Sequence, residues 1–492
     1  MQTQHFDAIV IGAGLGGLLS AAQLLARGKH VVILERLPHS GGRFTAKTFQ
    51  GAQISTGAVH MLPFGSSGVL ARTLQRLHVP HRIFDADVFG SFHVRGKQIR
   101  SRGVLGVFKV LGPRQFCWFA RLGYLMFLKP LPPVERSLPF DIWLARHINV
   151  QRNPELVAFF ASISRFALSL ELYQVTTEEV IRTTKHMFRF GAPGILQGGC
   201  GALSSELERQ VREQGADVRL RADVLQILYT DGQATGVRVR DKVSGAEEVL
   251  YAPLVVSDIG PRATEALLDN RQIKQSEILK QRRAEREEHR EARQLSERNE
   301  QPEAIGLKVH ILSDISLIPH KGILYCLDTQ RIAGMVQPTN SDPHLAPAGK
   351  HLLISHQVIQ SENIEEEKAL ALADLRALFG EKIFEQHCRV LTMSAYRGEW
   401  PVNRLAQGSD VGAGTAFQGL YLVGDAVKPA GYLMVEGVAQ SVNQLLDQLD
   451  ELEANSSEEE RERSRRRRFR HVIAPPSRLN ALRWLWKAPG NS

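Results

Sequence analysis

Three glycines near the start of the chain have the spacing that a phosphate-binding turn requires. Gly12, Gly14 and Gly17 form a G-x-G-x-x-G pattern directly after the apolar run 8–11. In such a turn the first glycine permits the tight bend, the second lets the backbone approach a pyrophosphate, and the third lets the following helix pack closely. The N–H groups that begin that helix attract phosphate charge. The pattern therefore predicts a site for the diphosphate of a dinucleotide.

Two further signals follow shortly after these glycines. Glu35 ends a second apolar run, 30–34, where an acid accepts hydrogen bonds from a ribose and disfavours a 2′-phosphate, so NADP is not expected. The tripeptide Gly-Gly-Arg at 41–43 lets the chain pass close to a ligand, and its arginine can bind phosphate or flavin oxygens. Placed just after such a unit, this tripeptide favours FAD over NAD.

The apolar pattern of the sequence also predicts the strands and the helix that must position these residues. The run 8–11 predicts a buried parallel strand, 18–27 a helix with one apolar face, and 30–34 a second strand. Strand, glycine turn, helix, strand and terminal acid together make a complete dinucleotide-binding unit. The glycines therefore have the context that separates a nucleotide site from an ordinary glycine-rich turn.

A second block near the other end of the chain belongs to the same kind of site. An apolar strand over 419–423 ends in Gly424 and Asp425, and a helix is predicted from about Val435 to Leu449. An aspartate at a strand end can bind a ribityl or ribose hydroxyl group. The N-terminus of the next helix can stabilise negative charge on a reduced flavin.

Length, composition and cysteine usage bound the class of protein. A chain of 492 residues is too long for one compact core, and we expect two interleaved domains of ordinary globular composition. The four cysteines lie far apart without metal or redox spacing, which favours reduced thiols, no metal site and a cytoplasmic location. Residues 1–6 are too short and polar for a signal peptide, and no apolar run reaches the length of a membrane span.

The positive charge of the chain is concentrated at its end. The net charge is +9, and residues 461–492 carry ten bases and one acid, so the remaining bases and acids cancel. Arginines followed by a Trp- and Leu-rich segment suit peripheral contact with an anionic membrane, although a disordered tail is the alternative. Nucleic acid is not an expected partner. The charged stretch 271–303 mixes bases and acids in near balance, which argues against nucleic-acid binding there too.

The segment 104–128 is rich in Leu, Val and aromatic residues, with Lys109, Arg114 and Arg121 interrupting it. Those charges exclude a bilayer span. Two alternatives stay open, and they are compatible. The segment forms a surface in the membrane interface, or it forms a buried helical cap over a substrate cavity.

Taken in order, these motifs carry a resemblance. The set comprises the glycine pattern, the Gly-Gly-Arg tripeptide, a central GGCGAL at 198–203, VVSDIGP at 255–261, LYLVGDA at 420–426 and GYLMVEGVAQS at 431–441. This set resembles the FAD-dependent amine oxidase-like superfamily, and most of all its phytoene desaturase and carotenoid isomerase branch. The resemblance covers residues 5–450. It implies an α/β fold in which a Rossmann-type FAD-binding domain is interleaved with an α+β substrate domain made of a mixed sheet and a helical cap. It implies FAD as the cofactor, with contacts from Gly12, Gly14, Gly17, Glu35, Arg36, Gly42, Arg43, Val224, Gly424, Asp425 and Val435.

The chain then divides as follows. The FAD-binding domain comprises 5–103, 191–262 and 411–450. The helical cap is 104–190, the charged insertion 263–304, the substrate domain 305–410 and the basic tail 451–492.

The implied activity is desaturation or isomerisation of a long apolar isoprenoid such as a carotenoid, by hydride transfer to or from flavin N5. Tyr432 is a departure from the desaturase pattern, because aromatic rings flank the flavin in amine oxidases. An amine oxidase-like enzyme on a soluble amine and a non-catalytic FAD-binding, membrane-associated protein are therefore the alternatives. The catalytic residues are unknown, with Tyr432, Lys308 and His60 as weak candidates and Tyr396 and Trp400 as pocket walls. For His60, a histidine bonded to backbone is an equally good interpretation.

Overall fold

The computed structural model describes residues 4–268, 306–396 and 414–456, apart from residues 58, 89, 102 and 416. The strands are β1 (Gln4–His5), β2 (Ala8–Ile11), β3 (Val31–Glu35), β4 (Ala46–Phe49), β5 (Ala52–Ser55), β6 (Met61–Leu62), β7 (Ile83–Asp85), β8 (Gly90–Val94), β9 (Lys97–Ser101), β10 (Gly194–Leu196), β11 (Asp217–Leu220), β12 (Ala222–Thr230), β13 (Gln233–Asp241), β14 (Glu247–Tyr251), β15 (Leu254–Ser257), β16 (Gly306–Ser313), β17 (Ile323–Cys326), β18 (Ile332–Val336), β19 (His351–Val358), β20 (Cys388–Tyr396) and β21 (Leu420–Leu422). The α-helices are α1 (Leu15–Leu25), α2 (Val69–Arg76), α3 (Gly103–Phe127), α4 (Pro133–Ser137), α5 (Phe140–His147), α6 (Pro154–Leu168), α7 (Thr177–Phe190), α8 (Gly199–Glu213), α9 (Pro261–Ala266), α10 (Ile364–Phe379), α11 (Glu381–His387) and α12 (Met434–Ser456). Short 3-10 turns cover Gly65–Ser67, Val150–Arg152, Pro338–Asn340, Pro343–Leu345 and Asp425–Val427.

A five-stranded parallel sheet holds the nucleotide-binding unit. Its order is β11-β3-β2-β15-β21, so three stretches of chain far apart in sequence meet in one sheet. All residues of β2 and β3 are buried, because α1 covers one face and the antiparallel strands β12 to β14 cover the other. Apolar runs buried on both faces are what a parallel sheet requires. The carboxyl ends of β2, β15 and β21 therefore lie side by side.

A seven-stranded mixed sheet forms the second half of the molecule, in the order β20-β16-β19-β18-β17-β8-β9. Every position of β16 is buried. Helices α10 and α11 pack near one side of this sheet, and α6 packs on β17, β18 and β19. This confirms the predicted fold class, a Rossmann-type sheet combined with a mixed sheet and a helical cap. The residue boundaries assigned to the seven segments stay predictions.

The cap consists of α3 to α7. Helix α3 is bent at Gly112, whose φ of 71° breaks the helical path directly before Pro113. Among the described residues, no helix combines the length and apolar character that crossing a membrane would need. The predicted membrane-contact tail and most of the charged insertion lie outside the described residues, as does Trp400.

Candidate cofactor site

The glycine turn has the geometry that its spacing predicted. Gly12 follows β2 with a φ of +95°, a conformation that favours glycine, and α1 begins just after Gly14. Gly17 lies so close to the turn that a Cβ there would stand 2.0 Å from the carbonyl oxygen of Gly12. The N-terminus of α1 is thus held tightly against the end of β2, with its first N–H groups facing the crevice.

The Gly-Gly-Arg tripeptide meets this turn directly. The Gly41 N–H donates to the carbonyl oxygen of Ala13 at 2.7 Å, and a Cβ on Gly42 would lie 3.4 Å from the Cα of Gly14. Both glycines have positive φ, 93° and 52°. Because the backbone of Gly41 and Gly42 lies so close to the glycine turn, a side chain at these positions would fill the space that a ligand needs. The same approach places Arg43 at this crevice.

Glu35 holds the turn from the end of β3. Its buried carboxylate accepts hydrogen bonds from the N–H groups of Ala13 and Leu37, each at 2.8 Å. Arg36 beside it is exposed. Val224 lies on β12, half-buried in the cluster that packs under the parallel sheet. Glu35 and Arg36 thus lie at the end of β3, and β12, which carries Val224, packs against that strand.

The second block lies opposite. Gly424 follows β21 with a φ of +103°, and Asp425 accepts hydrogen bonds from Lys428 Nζ at 2.7 Å and from Arg43 Nη2 at 3.4 Å. Val435, the second residue of α12, is buried next to this loop. The structure therefore joins the Gly-Gly-Arg tripeptide to the Gly-Asp loop through an ion pair, which the sequence did not reveal.

The crevice fits a dinucleotide diphosphate. Gly14, Gly16 and Gly424 line this crevice, and a Cβ on any of them would stand 2.4 Å from a carboxyl oxygen of Asp258. The N–H groups at the start of α1 supply hydrogen-bond donors, and the Arg43 guanidinium supplies donors and positive charge.

The model of the flavin containing amine oxidoreductases matches residues 15–441. The chain belongs to the flavin containing amine oxidoreductase family. FAD is its cofactor, as predicted. A solved oxidoreductase of Methanosarcina mazei is 32% identical with a TM-score of 0.76, covering 91% of this chain and all of that one.

The chain is also similar to proteins of lower identity. An uncharacterized protein of Methanocaldococcus jannaschii is 29% identical over 90% of this chain and 99% of its own. The prolycopene isomerase of Daucus carota is 23% identical over 87% of this chain and 77% of its own, and a phytoene desaturase of Rhodobacter capsulatus is 29% identical over 54% of each. A putrescine oxidase structure, 16% identical with a TM-score of 0.65 over 91% of this chain and all of its own, shares the fold.

One further residue at this crevice was not predicted from the sequence. Asp258 follows β15, and its Oδ2 accepts the N–H of Gly17 at 2.9 Å. Its two oxygens are the atoms that a Cβ on Gly14, Gly16 or Gly424 would meet at 2.4 Å. Burial is the main reason that the pKa of this carboxyl is raised to about 7. The signal in the sequence was an acid at the end of a buried strand, but nothing in the sequence tied it to the glycines.

Lys308 is fully buried, unlike most lysines. It lies on β16 in register with His356 of β19, and its Nζ donates to the carbonyl oxygen of Gly57 at 2.5 Å. His310 is two residues along the same strand and shares its face. Burial lowers the pKa of Lys308 to about 7, and the pKa values of His310 and His356 to about 3. The mixed sheet thus presents one amine and two neutral imidazoles to the interior.

His60 lies close to this face but is bound by the backbone. Its Nδ1 accepts the N–H of Cys200 at 3.1 Å, so its Nε2 donates to the carbonyl oxygen of Gln53 at 2.8 Å. Burial lowers the pKa of His60 to about 4. This arrangement favours the structural interpretation, because both ring nitrogens already have partners.

Tyr432 stands in the loop before α12 and packs on the ring of His186, with centroids 4.2 Å apart. Arg72 and Arg189 are near enough to act on its hydroxyl group electrostatically, although burial is the larger influence and raises the pKa of Tyr432. Tyr396 ends β20. The catalytic roles of Tyr432, Lys308 and His60 stay predictions.

Proposed function

We propose that this FAD-dependent oxidoreductase desaturates or isomerises a long apolar isoprenoid of the carotenoid kind. Bound FAD supplies the hydride acceptor or donor at flavin N5. The chain must then supply an apolar path for the substrate and a dry surface that places a C–H bond for reaction. The proposal is supported by its relatives among prolycopene isomerases and phytoene desaturases.

A series of aromatic rings is the observation that carries this proposal. It begins at Phe108, 38% exposed on α3, and ends beside His356, the neighbour of Lys308. Successive ring centroids are 4.8–6.2 Å apart, through Phe108, Phe116, Phe119, Phe159, Phe92, Tyr325, Phe166 and His356. Aromatic rings pack well against a conjugated polyene, and ordered rings lose little entropy on doing so. This series runs from the surface of the cap to the face of the mixed sheet that carries Lys308, His310 and His356.

The pigment profile of bacteria that accumulate phytoene or lycopene tests the substrate class. Co-expression of this chain is expected to produce a shifted absorption band or a new cis/trans isomer in chromatography, because the polyene changes its conjugation or geometry. The matched control is Gly17→Ala, which is designed to lack FAD. An unchanged profile in cells that contain flavin-loaded protein contradicts the carotenoid proposal.

Oxidation of a soluble amine is the second candidate, favoured by the pairing of Tyr432 with His186. Two arginines, Arg72 and Arg189, pack over the ring of Phe190 at 5.4 and 5.3 Å, and both act electrostatically on Tyr432, as does the acid Glu436. Two positive groups against one negative group disfavour an ammonium substrate. Hydrogen peroxide release on addition of putrescine or another diamine would nevertheless establish this activity. Failure of the bound flavin to be reduced by either substrate class would support the non-catalytic alternative.

Peripheral contact with an anionic membrane belongs to the same proposal. Residues 103–134 contain four bases and no acid, and the exposed apolar side chains of this stretch include Leu105, Tyr124 and Leu128, at 65%, 57% and 75%. Bases next to exposed apolar side chains suit a membrane interface. We propose that this face and the basic tail 461–492 receive the substrate from lipid.

We expect deletion of 461–492 together with Leu105→Ser and Leu128→Ser to abolish sedimentation with vesicles that contain anionic lipid. The reason is that each base near an anionic surface contributes about 1 kcal/mol, and each buried apolar side chain adds to it. Flavin content is expected to stay unchanged. Val243→Ser is the control, since Val243 is 70% exposed but lies in the β13–β14 turn. Equal sedimentation of wild type and variant would remove the membrane proposal.

A further inference from the structure

Asp258 occupies the point where the parallel sheet changes direction. From β2 the chain continues to β3 and β11 on one side, whereas β15 and β21 lie on the other. Ligands of open α/β sheets bind in the crevice at such a switch point, outside the carboxyl ends of the strands. Asp258 is the first residue after β15, so its side chain stands at the mouth of that crevice.

The carboxyl group contacts both glycine segments that line the crevice. Oδ2 accepts the Gly17 N–H at 2.9 Å and would touch a Cβ on Gly14, while Oδ1 would touch a Cβ on Gly16 or Gly424. Among the N–H groups at the start of α1 that have no carbonyl partner within the helix, that of Gly17 is therefore bonded to this acid. A pyrophosphate that approaches the remaining N–H groups comes against the same carboxyl group.

The charges around Asp258 are mixed. Arg43 attracts its charged form, whereas Glu35 and Asp425 repel it, and Lys428 is bonded to Asp425. The first turn of α1 contains no acidic residue, so it adds no negative charge near Asp258 and contributes its backbone N–H groups. Because burial dominates, the pKa of Asp258 is raised to about 7. The protonated and charged forms are thus both populated near neutral pH.

We infer that Asp258 is protonated when FAD is bound, and that its O–H donates a hydrogen bond to the FAD pyrophosphate while its other oxygen keeps the Gly17 N–H. A charged carboxylate in this position would meet two phosphate charges of the same sign in a partly buried crevice. The neutral acid offers one donor and one acceptor, which matches a phosphate oxygen on one side and a backbone N–H on the other. This inference rests on FAD binding and is independent of the substrate proposed above.

The consequence is that FAD binding takes up a proton. The bound pyrophosphate raises the pKa of Asp258 above its value in the flavin-free protein. Below about pH 7 the acid is protonated in both states, so the affinity for FAD is constant. Above about pH 7 the flavin-free protein loses the proton that the complex keeps, and the dissociation constant rises about tenfold per pH unit until the bound group also titrates.

Release of FAD from the diluted full-length holoenzyme measures this effect, because free FAD fluoresces more strongly than bound FAD. We expect a dissociation constant that is flat from about pH 6 to pH 7 and then rises about tenfold per pH unit. Asp258→Asn keeps an acceptor for Gly17 and gains a permanent donor, so it is expected to bind within about threefold of wild type at pH 6 with no dependence on pH. Asp258→Ala is expected to bind FAD more weakly than wild type at pH 6, because it lacks the donor, and to show no slope with pH.

A second buried acid makes the test selective. The pKa of Glu436, at the start of α12, is also raised to about 7, mainly by burial. Glu436→Gln is expected to keep the wild-type slope. Displacement of FAD by ADP-ribose, which has the pyrophosphate but lacks the flavin, is expected to show the same pH dependence as FAD. The inference is overturned if wild type shows no slope, if Asp258→Asn keeps it, or if Glu436→Gln loses it.

Discussion

Gly17→Ala is expected to remove FAD from the protein, although it adds a single methyl group. The new Cβ would stand 2.0 Å from the carbonyl oxygen of Gly12 and 3.2 Å from a methyl group of Val10. The oxygen belongs to the backbone of the glycine turn, so relief requires α1 to move away from β2. Such overpacking costs on the order of 3 kcal/mol, which corresponds to roughly a hundredfold loss of affinity if the cost falls on the bound geometry.

The measurement is the ratio of visible flavin absorbance to protein after purification, with circular dichroism to show that the chain folds. Gly123→Ala is the matched control, because Gly123 lies in α3 with no atom within 4 Å of its Cβ position. That variant is expected to keep all its flavin and to gain up to about 1 kcal/mol from helix propensity. A folded Gly17→Ala protein with full flavin content would contradict the assignment of this turn.

The glycine turn was predictable because its whole mechanism is local. The turn, the helix start and Glu35 lie within 24 consecutive residues, 12–35, so that spacing alone places them. Most other elements were predictable from apolar periodicity for the same reason. The apolar run 8–11, which is strand β2, and the run 419–423, which contains strand β21, are examples.

The contacts that complete the site were not predictable, because topology creates them. Asp258 reaches Gly17 across 241 residues, and Asp425 reaches Arg43 across 382. No local pattern encodes which strands become neighbours in the sheet. Lysine is usually exposed, so the burial of Lys308 follows only from the pairing of β16 between β20 and β19 in the mixed sheet. The register of β16 against β19 likewise places His356 opposite Lys308.

Lys308→Met is expected to make the protein more stable at neutral and acidic pH. Burial is the largest cause that lowers the pKa of Lys308 from 10.5 to about 7, so the folded state holds fewer protons than the unfolded state between those values. Stability of the wild type therefore rises with pH through that window, and below about pH 7 the full cost applies, on the order of 5 kcal/mol. Methionine removes the cost and loses the hydrogen bond to Gly57, which contributes about 1 kcal/mol.

Thermal unfolding of the flavin-loaded proteins across pH measures this balance. The variant is expected to have the higher midpoint at pH 6, and the difference should shrink as pH rises and level off only above about pH 10.5, where Lys308 is deprotonated in both states. Lys350→Met is the control, since Lys350 is 40% exposed in an ion pair with Asp314. An identical pH dependence in wild type and Lys308→Met would mean that Lys308 titrates as an ordinary lysine.

The same substitution is expected to slow flavin reduction by about a hundredfold or more, the scale on which a positioned acid or base acts. Lys308 is the one amine on a face whose described imidazoles, His310 and His356, are held neutral by burial. Its neutral form dominates above about pH 7, so the wild-type rate of reduction should rise through that pH whereas the variant shows a flat profile. Gain of stability together with loss of rate is the signature of a group kept buried for chemistry. If the variant gains stability and keeps both the rate and the pH profile, Lys308 serves only to bind Gly57, and the proton chemistry of this site belongs to another residue.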